Sequence, residues 1–222
     1  MSMALDRSSR RVLGVLAEKE LATPNQYPMS VNALTSGCNQ KTARDPQMHL
    51  REFEVEGVLR SLFVAQWVTN STPAGGRVVK WKHRLATRLA VEPDELAVVA
   101  ELFLRGAQTP GELRANANRL HPIADQSALE AVLRRLSDKN LVALGPPRPG
   151  ERARRWDHRL YGDDEAIEPL TAAPEPEARD FEAPPRAPVA SGPSLAALLQ
   201  RLEHLEDRVQ DLEARIDRSG ES

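Results

Sequence analysis

The chain holds one cysteine, Cys38, in 222 residues. A lone cysteine excludes an internal disulfide and fits a reducing compartment. No apolar run approaches the roughly 20 residues that a membrane helix needs. Met1 to Arg11 is polar and basic with no apolar stretch behind it, so no secretory signal is expected. Paired cysteines, a His-Glu-x-x-His helix and a glycine-rich phosphate loop are all missing, which removes the common local signatures of metal and nucleotide chemistry. The five histidines, His49, His83, His121, His158 and His204, are scattered. Cys38 has no neighbouring histidine and reads as packing. The expectation is a cytoplasmic protein with no catalytic centre, metal or cofactor and no membrane partner.

What the chain does have is a doubling. Trp81-Lys82-His83-Arg84-Leu85 returns as Trp156-Asp157-His158-Arg159-Leu160, 75 residues later. Val58-Leu59-Arg60-Ser61-Leu62 answers Val132-Leu133-Arg134-Arg135-Leu136, and Leu13 to Glu18 answers Leu96 to Glu101. A nearly constant offset means one structural unit used twice.

Each copy reads as three helices followed by a β-hairpin. In the first, Val12, Leu13, Leu16 and Leu21 give a helical stripe ended by Thr23-Pro24. Ser30 caps a second helix that Gly37 stops. Val55, Val58, Leu59, Leu62 and Phe63 line a third, and the hairpin returns along Val78 to Leu85. In the second copy, Pro93-Asp94-Glu95 opens helix one. Thr109-Pro110-Gly111-Glu112 is a capping box for helix two. Asp125, or Gln126-Ser127, caps a third helix whose stripe is Leu129, Val132, Leu133 and Leu136. The fold expected is mainly α with small β-hairpins (α+β): two tandem winged helix-turn-helix domains, 1–91 and 92–160.

An acidic Pro/Ala-rich linker follows over 161–193. A helix over 194–218 then carries Leu195, Leu198, Leu202, Leu205, Val209, Leu212 and Ile216 in alternating steps of three and four. That is a coiled-coil seam, with Arg201 and Arg208 placed to face Glu206 and Glu213 of a second chain. A homodimer is expected. A helix folding back on its own chain is the alternative.

Arg11 to Leu62 contains Arg-Val-Leu-Gly-Val-Leu-Ala-Glu-Lys-Glu, Thr-Pro-Asn-Gln-Tyr-Pro-Met-Ser and Cys-Asn-Gln-Lys-Thr-Ala-Arg-Asp-Pro. These runs resemble the YceH family of bacterial proteins, over residues from about 10 to 160. The resemblance implies a tandem winged-helix architecture and carries no activity with it. One departure is that Leu50-Arg51-Glu52 stand where Ser or Thr would cap the third helix, leaving that helix start without an evident cap.

Charge is unevenly spread. Residues 1–91 carry 13 Lys/Arg against 7 Asp/Glu, 92–160 carry 11 against 10, and 161–222 carry 6 against 15. A basic front half suggests a polyanion partner. Candidate contacts to duplex DNA are Arg77, Lys80, Lys82 and Arg84 on the first hairpin, and Arg148, Arg152, Arg154, Arg155 and Arg159 on the second, since basic wings commonly reach phosphates. Arg134 and Arg135 lie on the outer face of the second copy's third helix, where the first copy offers Glu52, Glu54 and Glu56. The loop after helix two, absent from the second copy, adds Asn39, Gln40, Lys41 and Arg44. Capping and turn roles for that loop stand beside the binding one. The alternative function is a protein–protein interaction module, similar in architecture to accessory subunits of chromosome-condensation complexes.

Overall fold

The first helix and its counterpart 83 residues on are the two that the rest of the chain gathers around. In the computed structural model, which describes residues 3–72, 76–147 and 150–162, these are α1 (Arg7–Ala22) and α5 (Pro93–Arg105). They pack directly on one another. A Cβ built on Gly14 of α1 would come within 3.0 Å of Leu104 and 3.1 Å of the Phe103 Cβ of α5, so the missing side chain sets how closely the helices approach. Val12, Leu13, Val15, Leu16 and Ala17 on one helix and Ala97, Val98, Val99, Ala100 and Leu102 on the other are wholly inaccessible.

Around α1 lie α2 (Val31–Cys38) and α3 (Glu52–Val64), followed by strands β1 (Val68–Ser71) and β2 (Lys80–His83). Around α5 lie α6 (Pro110–Ala117) and α7 (Gln126–Asp138), followed by β3 (Val142–Leu144) and β4 (Trp156–His158). A single turn of 3₁₀ helix spans Pro24–Gln26. Both two-stranded sheets are antiparallel, with Val68 opposite His83 in one and Val142 opposite His158 in the other.

The repeat holds down to single hydrogen bonds. Met29, the residue before the α2 cap, exchanges both backbone bonds with Trp81 at 2.8 and 3.1 Å; Gln108, the residue before the α6 cap, does the same with Trp156 at 2.8 and 3.0 Å. Each hairpin thus gains a third extended segment from the entrance to its own second helix. The turns out of α3 and α7 both use a residue with positive φ, Gln66 at 61° and Asn140 at 56°. Trp67 N–H then donates to the Leu62 carbonyl at 2.8 Å, and Leu141 N–H to that of Leu136 at 2.9 Å.

Helix starts follow the sequence, with one addition. Ser30 and Asp125 accept from the N–H groups of Ala33 and Ala128, and Thr109 with Glu112 forms the reciprocal box. The expectation of an unsupported α3 start is corrected: Glu54 reaches back to accept from the Arg51 N–H at 2.7 Å. Arginine has no acceptor of its own, so the third helical residue does the capping from inside.

Other expectations are corrected too. Residues 85–89 form a helix, α4 (Leu85–Leu89), rather than the end of a strand. Leu85 and Leu89, four apart, are both buried, and the helix ends at Ala90 with φ 51°. Val78 and Val79 precede β2 and are exposed. Phe63, read as core, is 48% exposed and meets Trp81 edge-on at 6.1 Å. Gly37 does not stop α2; it lies inside the helix, where a Cβ would come within 2.7 Å of the Val15 Cγ1.

The described residues fall in one unit with one continuous core, so the repeat boundary near residue 91 is not a gap between separate cores. The N-terminus reinforces this. Leu5 pairs in parallel with Tyr161, its N–H donating to the Leu160 carbonyl at 3.1 Å. The coiled-coil seam from Leu195 to Ile216, the linker from residue 163 onward and Arg148 lie outside the described residues.

Overpacking at a close contact and propensity at an open one should have opposite signs. Gly37→Val is expected to lose about 1–3 kcal/mol of stability, whereas Gly57→Ala, with nothing within 4 Å of the new Cβ, should gain about 0.5–1 kcal/mol. Urea denaturation of both variants checks this.

Candidate nucleic-acid interface

Several cations that the sequence offers to a partner turn out to hold the fold together. Arg44 is the clearest correction. Its side chain is inaccessible, pairs with Glu18 at 2.5 Å, and donates to the Gly37 and Ala43 carbonyls at 3.0 and 2.8 Å. It also donates to the Gln40 Oε1 at 2.8 Å. Asn39 is committed as well: its amide donates to the Leu50 carbonyl and accepts from the Leu50 N–H, at 2.7 and 2.8 Å. The loop from residue 39 to 50 is therefore pinned by its own polar side chains, and of its four candidates only Lys41 is exposed.

The second hairpin behaves similarly. Arg155 bridges Glu112 at 2.8 Å and Glu151 at 3.1 Å. Arg154 donates to the carbonyls of Gly145 and Leu144 at 3.1 and 3.4 Å. On α7, Arg135 reaches back to Asp94 at 2.6 Å and to the fully buried Glu95 at 3.1 Å, which Lys139 also meets at 2.6 Å. The expectation that Arg135 stands unpaired is corrected: Glu95 is out of water and needs cations around it. Composition counted these arginines as available. The fold spends their charge on its own carboxylates.

What remains outward is shorter. Arg77, Lys82, Arg134, Arg152 and Arg159 are exposed, and Lys80 and Arg84 are half-buried. Lys80 and Lys82 alternate with buried Trp81 and His83 along β2, as the strand period requires. The two third helices differ in charge balance: α3 carries three glutamates against Arg60, whereas α7 carries Glu130 and Asp138 against Arg134 and Arg135. α3 presents Glu52, Glu54 and Glu56, with Asn32 donating to Glu52 at 2.6 Å and Arg60 held by Glu56 at 3.2 Å. α7 presents Arg134. A groove of about 410 Å³ beside the first hairpin is lined by Phe63, Val64, Val68, Thr69 and Arg84, with Val64 83% exposed.

The paired histidines share a position and differ in surroundings. Each Nδ1 accepts a backbone N–H two residues on, from Leu85 at 3.1 Å and from Leu160 at 3.3 Å. The proton is thereby assigned to Nε2 in both. His83 Nε2 lies 2.7 Å from Glu20, and this contact holds the Glu20 carboxyl below its usual range. His158 instead packs edge-on to Phe103 at 5.2 Å and lies 4.1 Å from the Tyr161 ring. Burial first, and then the nearby Arg10 charge, lower its pKa to about 3. Burial also raises the Cys38 thiol to about 12, which leaves it protonated at neutral pH and a poor nucleophile.

Sequence reasoning missed Arg11, which is 2% exposed and donates to the carbonyls of Cys38, Pro46 and Leu104. A signal was present: Arg11, Val15 and Glu18 recur at helical spacing, so a buried face of α1 carries charge.

Fold and surface define an α+β protein of two repeated halves, each with three helices and a hairpin, with exposed cations on both hairpins and on α7. No helix of the described residues is long and apolar enough to cross a membrane. Residues 5–151 match the family model described as "Protein of unknown function, DUF480". The chain belongs to this DUF480 (UPF0502) family, of which YceH is a member. It is 43% identical to a UPF0502 protein of Azoarcus sp. (strain BH72) over 97% of this chain and 92% of that protein. A UPF0502 protein of Geobacter sulfurreducens is 47% identical over 79% and 81%, and one of Shewanella pealeana 40% over 96% and 97%.

A neutral buried histidine gives stability a defined pH dependence. Above about 6.5 neither state binds the proton; below it the unfolded chain takes one that folded His158 refuses until about pH 3. Stability should therefore fall with falling pH across that window, by at most about 1.4 kcal/mol per unit from this group. In His158→Asn the urea midpoint should fall less steeply between pH 6.5 and 4.5, whatever its value at pH 7. Equal slopes would contradict the assignment.

Proposed function

We propose that each half is a winged helix-turn-helix unit and that the protein is a cytoplasmic, dimeric DNA-binding protein, in the manner of a transcriptional regulator and without catalysis. In this reading α2–α3 and α6–α7 are the helix-turn-helix pairs, and β1–β2 and β3–β4 are the wings. The observation that carries it is the set Arg134, Arg152 and Arg159. All three are exposed in the second half and have no side-chain partner among the described residues, while their neighbours Arg135, Arg154 and Arg155 are internally engaged. A third helix with an outward arginine, next to a wing with two more, offers phosphate contacts around a major-groove element. The first wing adds Arg77 and Lys82. The carboxylates of α3 argue against that helix entering a phosphate-lined groove.

The first half supports a second reading, as a protein-docking module. Phe63, Val64, Val78 and Val79 are exposed large apolar residues near one hairpin, a concentration that single scattered surface apolars do not give. The two readings assign different halves and are separable by mutation.

Duplex affinity should fall steeply with salt, with log K against log of salt concentration sloping at about −0.9 per phosphate neutralised. Arg134→Ala and Arg152→Ala should each flatten that slope by about one contact, whereas Arg155→Ala should leave it nearly unchanged. Fluorescence anisotropy on a mixed-sequence duplex reads both. No retention of duplex at low salt would sink the DNA reading.

The seam from Leu195 to Ile216 accounts for the dimer. Deletion of residues 195–222 should lower the dimer fraction in light scattering, and an unchanged mass would exclude the zipper.

A further inference from the structure

The second half's free cations stand just upstream of an acidic run. Residues 163–175 carry Asp163, Asp164, Glu165, Glu168 and Glu175 and no Lys or Arg. Arg159 comes four residues before Asp163, and Arg152 eleven before it. The run lies beyond the described residues, but the place it starts from does not. Leu160 is buried and its carbonyl accepts the Leu5 N–H, while Tyr161 pairs in parallel with Leu5. A Cβ built on Gly162 would lie 3.7 Å from the Leu5 carbonyl oxygen and 3.9 Å from the Asp6 Cα. The acids therefore depart from a fixed point close after β4.

The carboxylates around these cations are committed elsewhere. Asp157 accepts from the Tyr161 hydroxyl at 2.6 Å and from the His158 N–H at 2.8 Å. Glu112 and Glu151 hold Arg155, and Asp94 and Glu95 hold Arg135. Glu130 and Asp138 share α7 with Arg134 and form no ion pair with it among the described residues. Arg134, Arg152 and Arg159 are left exposed and open to an anion from outside the two repeats.

Reach does not forbid the acidic run from being that anion. A chain spans at most about 3.3–3.6 Å per residue, so positions 163–175 extend up to about 45 Å from Gly162. A folded unit of this size has a radius of gyration of about 15 Å. Carboxylate oxygens offer a guanidinium the same charged acceptor that a phosphate does, and covalent attachment presents them at an effective concentration on the order of mM. We propose that the 163–175 run occupies Arg134, Arg152 and Arg159 of its own chain when no duplex is bound, and that a duplex must displace it. This rests on the DNA reading and adds a regulation to that surface. Exposed ion pairs are each worth roughly a factor of two in affinity, so three of them weaken duplex binding by about eightfold at low salt. The run sets a threshold and does not block the surface.

The test uses the full chain and a variant carrying Asp163→Asn, Asp164→Asn, Glu165→Gln, Glu168→Gln and Glu175→Gln, all outside both repeats. Without DNA, the Nε–H resonances of Arg134, Arg152 and Arg159 should differ between the two chains at about 0.01 M ionic strength, where the Debye length is about 30 Å. They should coincide at about 1 M, where it is about 3 Å. Arg155, held by its two glutamates, should not respond. Identical resonances at low salt would overturn the contact. So would a response confined to Arg7, which is exposed beside the start of the run. With a mixed-sequence duplex at low salt, the variant should bind about eightfold more tightly by anisotropy, and the gain should shrink as salt rises. Equal affinities at low salt would overturn the competition. Failure of both chains to retain duplex would instead sink the DNA reading, while the resonances decide the contact on their own.

Discussion

The close packing of α1 on α5 is the contact on which the rest of the structure depends. Gly14 permits it, since a side chain there would press into Leu104 and Phe103. Through that contact the two halves of a duplicated chain share one core instead of forming two small ones. The gain is physical: buried fraction rises with size, and a unit of under a hundred residues on its own is marginal. Polar links follow the same seam. Arg11 on α1 donates to the Leu104 carbonyl on α5, and Asp45 in the loop donates its N–H to that same carbonyl at 2.9 Å. The Leu5 and Tyr161 pairing then closes the N-terminal segment onto the end of the second repeat.

Charge in this protein has two uses, and the structure separates them. Glu95 and Glu18 sit where water is scarce, and each draws arginine or lysine to itself. Arg44, Arg135 and Lys139 are occupied in that way. Arg155 is occupied more loosely, on a half-exposed pair whose stabilisation is small. Of the cations the sequence offered to DNA, those left exposed are fewer: Arg77, Lys82, Arg152 and Arg159 on the hairpins, Arg134 on α7 and Lys41 in the loop. A basic segment is therefore a poor measure of a basic surface. The difference between α3 and α7 carries the same lesson: equivalent helices, built on one buried stripe, present an excess of carboxylates in one repeat and a balanced set that includes an unpaired Arg134 in the other.

Much of this was legible in the chain itself. The apolar stripes of α1, α3, α5 and α7 follow from helical spacing. The caps at Ser30, Thr109 and Asp125 follow from short side chains that can accept a backbone N–H. The hairpins follow from alternation around Trp81 and Trp156. Duplication was legible as a constant offset, and the family from Asn39 to Pro46. The α4 helix was not, because five residues between a strand and a turn carry too little pattern. Nor was the capping role of Glu54, whose partner is a backbone group and leaves no side-chain signature.

The sequence by itself determined the repeated plan, the capped starts of α2, α6 and α7 and most of the inward stripe of the long helices, because these depend on near neighbours and on periodicity. Only the tertiary structure decided which charges face a partner. Arg44 meets Glu18 across 26 positions, Arg135 meets Glu95 across 40, and Arg11 meets Leu104 across 93. The first two distances close when the elements of one repeat gather and the third only when α1 packs on α5, and no local pattern encodes which long-range carboxylate or carbonyl will claim a given arginine.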